Sequence, residues 1–385
     1  RVQNRAAPPP SPTMRQQQRV LTLILALANS SASSQPRASS SDERMAAFVA
    51  PSSNPSEFYY DAAFPVPTLG KLHDELAELP ADAAEVKLRV LCSSVNPSDT
   101  STDGYLKPKP LGSDVVGVVV ETDSAVFGVG DIVWGDIGSN AKLGTDPNIT
   151  TKELGAYAEY AVALDTQLAL APTDSLPVLE LCGLPKVALT TYKALTWYAG
   201  APWSASSNKT VLVLGGSGGT GSAAIQLAKA FGAARVATTT SAANFDYCEG
   251  LGATQLIDYH SENWWDVFGQ GEVSVIIDTV GEAGTPGYAF SVLSTHGGHG
   301  VSIADFEDPG AVPAGMTWSS FINSDTNLVS ARELEAINEL VVAGQLKMPG
   351  LSVYSLSQTA EAFETSAGGH VVGKLVISVN NDTSV

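Results

Sequence analysis

The sequence predicts an α/β protein built from a β-rich, barrel-like unit and a doubly wound parallel sheet. Three observations predict it. Residues 211–231 read as a β-branched strand, a glycine-rich turn and a helix. From about residue 178 onward, strand patterns alternate with helical ones, which implies a parallel sheet with right-handed crossovers. Before that point the chain carries many short strands separated by glycine turns, the pattern of a small barrel.

The first 44 residues stand apart. They are rich in Pro, Ser, Gln and Arg, and their six arginines face only Asp42 and Glu43. From Met14 a basic stretch, an apolar run (Val20–Ala28) and a Ser/Ala stretch follow one another, the layout of a secretory signal peptide, and the Ser-rich, Arg-bearing stretch behind it reads as a transit peptide. Two readings stay open: an organelle, or plastid, address in 1–44, or translation from Met45 and a cytoplasmic protein. Ala46–Ala50 is strand-like. Glu85–Val95 alternates Val86, Leu88 and Val90 with Lys87 and Arg89, as a half-buried strand does. Val115–Glu121, Asp131–Trp134, Ala156–Val162 and Gln167–Ala171 continue the series. Leu179–Tyr198 has helical spacing. Then come strand Val211–Leu214, helix Thr220–Phe231, strand Arg235–Thr239, helix Phe245–Leu251 and strands Gln255–Ile257, Val273–Asp278 and Gly300–Ile303. Helix Arg332–Ala343 keeps Glu333, Glu335 and Glu339 on its wet side. Val371–Val379 is a last strand.

The 385 residues suffice for two domains, and 44% are hydrophobic, enough for sizeable cores. Net charge is −19. The first 44 residues, six arginines less two acids, hold about +4, so the remainder carries about −23. Such a body repels nucleic acid and anionic membranes. The longest apolar run, nine residues, is too short to span a bilayer. Cys92, Cys182 and Cys248 form no CxxC pair, so each is expected to be a small buried apolar group rather than part of a zinc or disulfide framework. The five histidines show no metal-ligand spacing.

Gly216, Gly218 and Gly221 fit G-x-G-x-x-G in the required context, after a strand and opening a helix. A side chain at the middle glycine would keep the backbone from a pyrophosphate, and the last glycine lets helix and strand pack closely. The helix N-terminus then offers free N–H groups and a partial positive charge. Gly215, Gly216, Ser217, Gly218, Gly219, Thr220 and Gly221 are therefore expected to hold a dinucleotide. The next strand ends in Thr239-Thr-Ser-Ala-Ala-Asn244, without the Asp or Glu that binds the 2′-hydroxyl of NAD. This favours NADP(H), with Thr240, Ser241 and Asn244 as neutral donors.

The chain resembles the medium-chain dehydrogenase/reductase superfamily, in its zinc-free quinone and alkenal (enone) oxidoreductase branch. The motifs that carry the resemblance include Val95-Asn-Pro-Ser-Asp99, Pro110-Leu-Gly-Ser-Asp-Val-Val-Gly117, Gly155-Ala-Tyr-Ala-Glu-Tyr160, Leu189-Thr-Thr-Tyr-Lys-Ala-Leu195 and Gly373-Lys-Leu-Val-Ile377. The resemblance implies a GroES-like catalytic domain (45–176) with a Rossmann domain (177–343) inserted and a C-terminal return (344–385), working as a homodimer. Zinc-dependent relatives carry Cys where this chain has Asn96 and His-Glu where it has Ser113-Asp114, so no metal is expected. The implied reaction is hydride transfer from NADPH to the C=C bond of an enal or enone, or to a quinone, as small-molecule substrate. A trans-2-enoyl thioester reductase and a non-catalytic, crystallin-like NADPH-binding protein are the alternatives. By the same analogy Tyr105 is a pocket phenol that can donate to the substrate carbonyl, against its reading as a turn tyrosine. Asn96 is an amide donor near the nicotinamide, against a turn cap. Asp99 orients its loop. Thr190 and Tyr192 reach the nicotinamide or its ribose, against a reading of Tyr192 as a core tyrosine, and Tyr259 stacks on the adenine side. Lys186 stands where relatives have an apolar residue and is placed to meet a phosphate or a substrate oxygen, against a reading without a ligand.

Overall fold

Short β-branched runs make the first third of the chain a set of strands. A computed structural model describes residues 43–50, 58–70, 72, 79–80, 82–100, 108–138, 141–143, 146–151, 155–306 and 308–379. Ten strands come first: β1 (Arg44–Ala50), β2 (Tyr59–Pro65), β3 (Glu85–Ser94), β4 (Lys109–Pro110), β5 (Asp114–Thr122), β6 (Ile132–Asp136), β7 (Ala141–Leu143), β8 (Asp146–Thr151), β9 (Tyr160–Leu164) and β10 (Leu168–Leu170). Two helices follow, α1 (Val178–Cys182) and α2 (Pro185–Lys193). Strand–helix alternation then runs through β11 (Thr210–Leu214), α3 (Gly219–Ala230), β12 (Arg235–Thr240), α4 (Phe245–Leu251), β13 (Gln255–Asp258), α5 (Trp264–Val267), β14 (Val275–Asp278), α6 (Thr285–Val292), β15 (Gly298–Ser302) and β16 (Met316–Ser320). The chain closes with α7 (Ala331–Val342), β17 (Leu351–Ser355), α8 (Thr359–Ala367) and β18 (Lys374–Ser378).

β11 to β16 form one parallel sheet in the order β13-β12-β11-β14-β15-β16. The order reverses between β11 and β14, and ligands of doubly wound sheets bind at the strand carboxyl ends beside that switch point. The early strands form a second sheet, β10-β6-β5-β3-β18-β17, with β9 also on β3, and a three-stranded sheet β2-β1-β4. β18, near the end of the chain, pairs antiparallel with β3, Val376 opposite Ser94.

Burial explains the difference between expected and observed strands. β3 alternates only at Lys87 and Arg89; Val90 to Ser94 are all buried, because β18 and α1 pack on that half. β2, β16 and β17 had no place in the expected series. They lie at the ends of their sheets, β2 largely exposed and β16 and β17 partly so, and an edge strand wetted on one face needs no apolar run. The long helix expected over 179–198 is split: α1 ends at Gly183, α2 follows, and Ala194–Tyr198 is one turn of π-helix.

One core cluster joins the two parts. Leu184, Ala188 and Leu189 of the α2 segment pack with Trp134 of β6 and with Val211, Ala224 and Leu227 around β11 and α3. Val86, Leu88, Val115 and Val133 fill the barrel-like interior. Cys92 of β3 and Cys182 of α1 form a disulfide, their Cα atoms 6.0 Å apart. This overturns the expectation of three unpaired cysteines: 90 residues separate the pair, and only the packing of α1 on β3 brings them together. Cys248 is free and buried, its thiol pushed up to about 11 by burial. No helix among the described residues is long and apolar enough to cross a membrane.

Candidate active site

The glycine turn lies at the switch point. Gly215, at the end of β11, has φ +81°, which glycine adopts without strain. A Cβ at Gly221 would overlap the Gly215 backbone, and one at Gly216 would overlap Thr238. These two glycines are set by packing of α3 on the sheet. Gly218 differs: a Cβ there would meet nothing nearer than the Gly215 carbonyl oxygen at 3.6 Å, so its face is open to the crevice. No side chain caps α3, whose first N–H groups therefore remain available to an anion.

The end of β12 is laced to this turn. Gly215 N–H donates to Thr239 Oγ1 at 2.9 Å, Thr240 Oγ1 to Ser217 Oγ at 3.0 Å, and Asn244 Nδ2 to Ser217 Oγ at 3.3 Å and Ser241 Oγ at 3.1 Å. Gly215, Ser217, Gly218, Thr240, Ser241, Asn244 and Tyr259 all line a cavity of about 850 Å³. No Lys or Arg is among its described lining residues; His260, Glu282 and His370 are. A strand-end carboxylate, Asp258 of β13, stands opposite Thr240. The ring and backbone of His260 hydrogen-bond it, at 2.9 and 3.1 Å, and keep its carboxyl below the ordinary range.

Two further cavities continue the cleft. One, of about 250 Å³, is lined by Asn96, Gly218, Gly219, Thr220 and Lys374 among others. The other, of about 550 Å³, is lined by Asn96, Lys186, Thr190, Thr220 and Ser324 with an apolar wall of Val280, Ile303, Phe306, Phe321 and Ile322. Thr279, just beyond β14, lines all three. Sequence reasoning missed it, although its signal was present: it follows the strand that neighbours β11 across the switch point. Of the expected cofactor residues, Gly216 and Gly221 serve packing, and Tyr192 lines none of these cavities. Its ring sits edge-on to Phe231, 5.7 Å between centroids, so its half-buried place is explained by core contacts. Tyr105 lies outside the described residues.

The floor of the cleft is a buried ionic network. Asp114 Oδ2 accepts from Ser94 Oγ at 2.6 Å and Asn96 Nδ2 at 2.8 Å, and lies 3.6 Å from Lys374 Nζ. Lys374 donates to Asn96 Oδ1 at 2.7 Å and Val95 O at 2.8 Å. Both ends of the Asn96 amide are therefore engaged within the protein, and its NH2 points inward to Asp114 rather than along the cleft. Asp99 accepts from Asn96 N–H at 2.9 Å, from Ser113 Oγ at 3.2 Å and, through a short bond, from the Tyr157 hydroxyl. Burial raises its carboxyl above the ordinary range, against the opposing charge of Lys186. Burial likewise lowers the Lys374 ammonium, against Asp114. Lys186 Nζ lies 3.4 Å from Asp136 Oδ1 and 3.4 Å from Ser324 Oγ.

Asn96, Ser113 and Asp114 converge here, and the cation beside their one carboxylate is the Lys374 ammonium. Among the described residues no group of three or more His, Cys, Asp or Glu side chains could hold a metal ion.

Comparison with known proteins places this architecture. The model of the alcohol dehydrogenase GroES-like domain matches residues 82–173, and that of a zinc-binding dehydrogenase matches 251–377. The chain is 33% identical to a 2-methylene-furan-3-one reductase of Solanum lycopersicum over 359 residues, 89% of this chain and 84% of that one. It is 31% identical to the chloroplastic NADPH-dependent alkenal/one oxidoreductase of Arabidopsis thaliana, covering 76% and 72%. The quinone oxidoreductase structure from Coxiella burnetii superposes with a TM-score of 0.65 at 25% identity, covering 88% of this chain and all of that one.

Proposed function

The chain belongs to the medium-chain dehydrogenase/reductase superfamily, in its quinone and alkenal reductase branch, and from that premise we propose that it is an NADPH-dependent reductase of an enal, enone or quinone acting without a metal. The observation that carries the reading is the continuity of the cleft. Thr279 borders both the glycine-turn crevice and the apolar cavity, so a nicotinamide bound from the first can face a substrate in the second.

The residues present fit the cofactor. The open face of Gly218 and the uncapped start of α3 suit a pyrophosphate. Ser241 and Asn244 offer hydroxyl and amide donors to a 2′-phosphate, Thr240 holds the Ser217 hydroxyl of the turn in place, and Tyr259 is exposed nearby for the adenine. Thr190 would contact the nicotinamide end. Bound NADPH supplies the hydride. The protein's part is to orient both partners, to shut out water with the Phe306–Phe321 wall, and to meet the negative charge that develops on the acceptor oxygen. Tyr105 is one proposed donor to that oxygen. Asn96, saturated by Asp114 and Lys374, is a positioning residue that fixes the turn at 96–99. Lys374 beside Asp114 supplies from the protein the positive charge that a metal would otherwise bring, which supports the metal-free reading.

In this reading 45–176 and 344–385 form the catalytic domain around a cofactor domain of 177–343. The chain works as a dimer, checked by its mass in solution. Residues 1–44 carry an organelle address, checked by whether fusing them to a fluorescent protein directs it to plastids.

Loss of NADPH absorbance with an enone, a quinone and a crotonyl thioester tests the activity. Turnover is expected with the enone or quinone; turnover on the thioester alone, or on none, sinks the reading. Titration tests the cofactor: NADPH should bind more tightly than NADH, and Asn244→Ala should narrow the gap by about tenfold, the worth of one hydrogen bond to a charged group.

A further inference from the structure

Lys186 is placed against the usual electrostatics of a helix. It occupies the first turn of α2, which carries no acidic residue, where the macrodipole disfavours a cation. Its side chain is 11% exposed, and Asp136 beside it is fully buried. Its backbone N–H donates to Asp114 Oδ1 at 2.6 Å, which ties the start of α2 to the ionic floor. Lys186, Val187 and Thr190 share the helix face that borders the 550 Å³ cavity. Among the described residues lining that cavity, Lys186 is the one ionisable side chain, and the opposite wall is apolar. Lys186, held by Asp136 and Ser324, is thus a fixed cationic side chain on the wall of a pocket of the size that takes a small organic ligand.

We propose that Lys186 is a catalytic residue that holds the carbonyl oxygen of the acceptor and stabilises it as an enolate. The assignment rests on the reductase reading above and names the acceptor as a conjugated carbonyl compound with an apolar tail against Phe306 and Phe321. The double bond lies toward Thr220 and Thr279, where the cavity meets the cofactor crevice. Hydride from NADPH forms the new C–H bond at the β-carbon. The C=C electron pair moves to the α-carbon–carbonyl bond, and the carbonyl pair moves to oxygen. The Lys186 ammonium donates a hydrogen bond to that O⁻ and keeps its proton. Water then gives a proton to the α-carbon as the C=O re-forms, so the products are the saturated carbonyl, NADP⁺ and a hydroxide that takes up a proton from solvent. Ser324, 3.4 Å from Nζ, and Asp136 hold the ammonium in place.

The test compares the wild type with Lys186→Arg and with the charge-balanced double variant Lys186→Met/Asp136→Asn, which removes the ammonium together with the buried carboxylate in ion-pair contact with it. Binding of p-nitrophenol to the cofactor-free proteins is read by its visible absorption, with the phenolate standing for the enolate oxygen. In the wild type the bound phenol should ionise about 1 pH unit or more below its free value; in the double variant it should not. On an enone, the double variant should lose about 10²-fold in kcat, as removal of an oxyanion donor does, with NADPH affinity unchanged and partial rescue in Lys186→Arg. Equal phenol ionisation in the two proteins overturns the proposal. So does absence of phenolate binding to the wild type, or a double variant that binds NADPH normally and keeps its kcat. A wild type that ionises the phenol but oxidises no NADPH keeps the Lys186 anion site and removes the reductase reading instead.

Discussion

The two ends of the cleft handle charge in opposite ways. Around the glycine turn the described polar groups that line the crevice are largely hydroxyls, an amide and histidines, with no lysine or arginine. On the floor below Asn96, three carboxylates (Asp99, Asp114, Asp136) and two lysines (Lys186, Lys374) are buried together. The difference follows from solvent. A phosphate in an open crevice keeps part of its hydration and can be held by backbone N–H groups and neutral donors. Charges removed from water must be paired, and once paired they fix geometry. In the proposed function the anion-binding end is therefore built from shape, and the catalytic end from buried ions.

The comparison breaks most visibly at Lys374. Replacing it with Met leaves Asp114 buried without its ammonium and Asn96 Oδ1 and Val95 O without their donor. We expect a loss of about 3–5 kcal/mol, typical of one partner removed from a buried pair, read as a lower urea midpoint with unchanged slope. Adding Asp114→Asn should recover part of it. A midpoint unchanged in the single variant would mean that the floor is not an ionic network. At the other end, Gly221→Ala and Gly218→Ala separate packing from binding. Gly221→Ala should lower both stability and NADPH affinity, because its Cβ overlaps the Gly215 backbone. Gly218→Ala should leave the melting temperature nearly unchanged and weaken NADPH at least about tenfold, or ~1.4 kcal/mol. Equal melting losses in both would make Gly218 a packing glycine as well.

This contrast also governs what could be read in the sequence. The glycine turn was legible because strand, turn and helix are contiguous and each glycine has a local steric reason. The parallel sheet was legible through its periodicity, apart from β16, whose Met-Thr-Trp-Ser-Ser buries only Met316 and lacks an apolar run. The floor was not legible in the same way. Asn96 meets Lys374 across 278 residues, Asp136 meets Asn323 across 187, and Lys186 meets Ser324 across 138. Nothing in the Val95–Asp99 motif shows that the Asn96 amide is consumed by a lysine of the last strand. The Cys92–Cys182 bond escaped for the same reason. Residue type and spacing report local geometry, whereas pairing between distant segments is set by topology.

Lys193, the last residue of α2, offers an intermediate case. It is fully buried, yet its Nζ donates to neutral groups: Asn323 Oδ1 at 2.9 Å and the hydroxyls of Thr326 and Ser330 at 3.0 Å each. Burial accordingly lowers its ammonium to about 8. Below that pH both folded and unfolded chains are protonated, and the folded state bears the full cost of the buried charge. Between about 8 and 10.5 the folded chain loses the proton while the unfolded chain keeps it, so stability should rise with pH. Measured as the difference between wild type and Lys193→Met, which cancels other titrations, the gain is at most about 3 kcal/mol. A difference that is flat or falls over this window would place a carboxylate against Lys193.

Tyr192 gives the smallest effect and the sharpest line between the two regions. The family resemblance gave it a place at the nicotinamide ribose, but its ring faces Phe231 and it borders none of the three cavities. Tyr192→Phe keeps the ring and removes only the hydroxyl. A hydroxyl bonded to the ribose is worth about 0.5–1.5 kcal/mol, which is roughly two- to tenfold in affinity. A packing ring predicts no change. We therefore expect NADPH affinity and the enone rate to stay within twofold of wild type, and a fivefold loss of affinity would extend the cofactor contacts to the far face of α2.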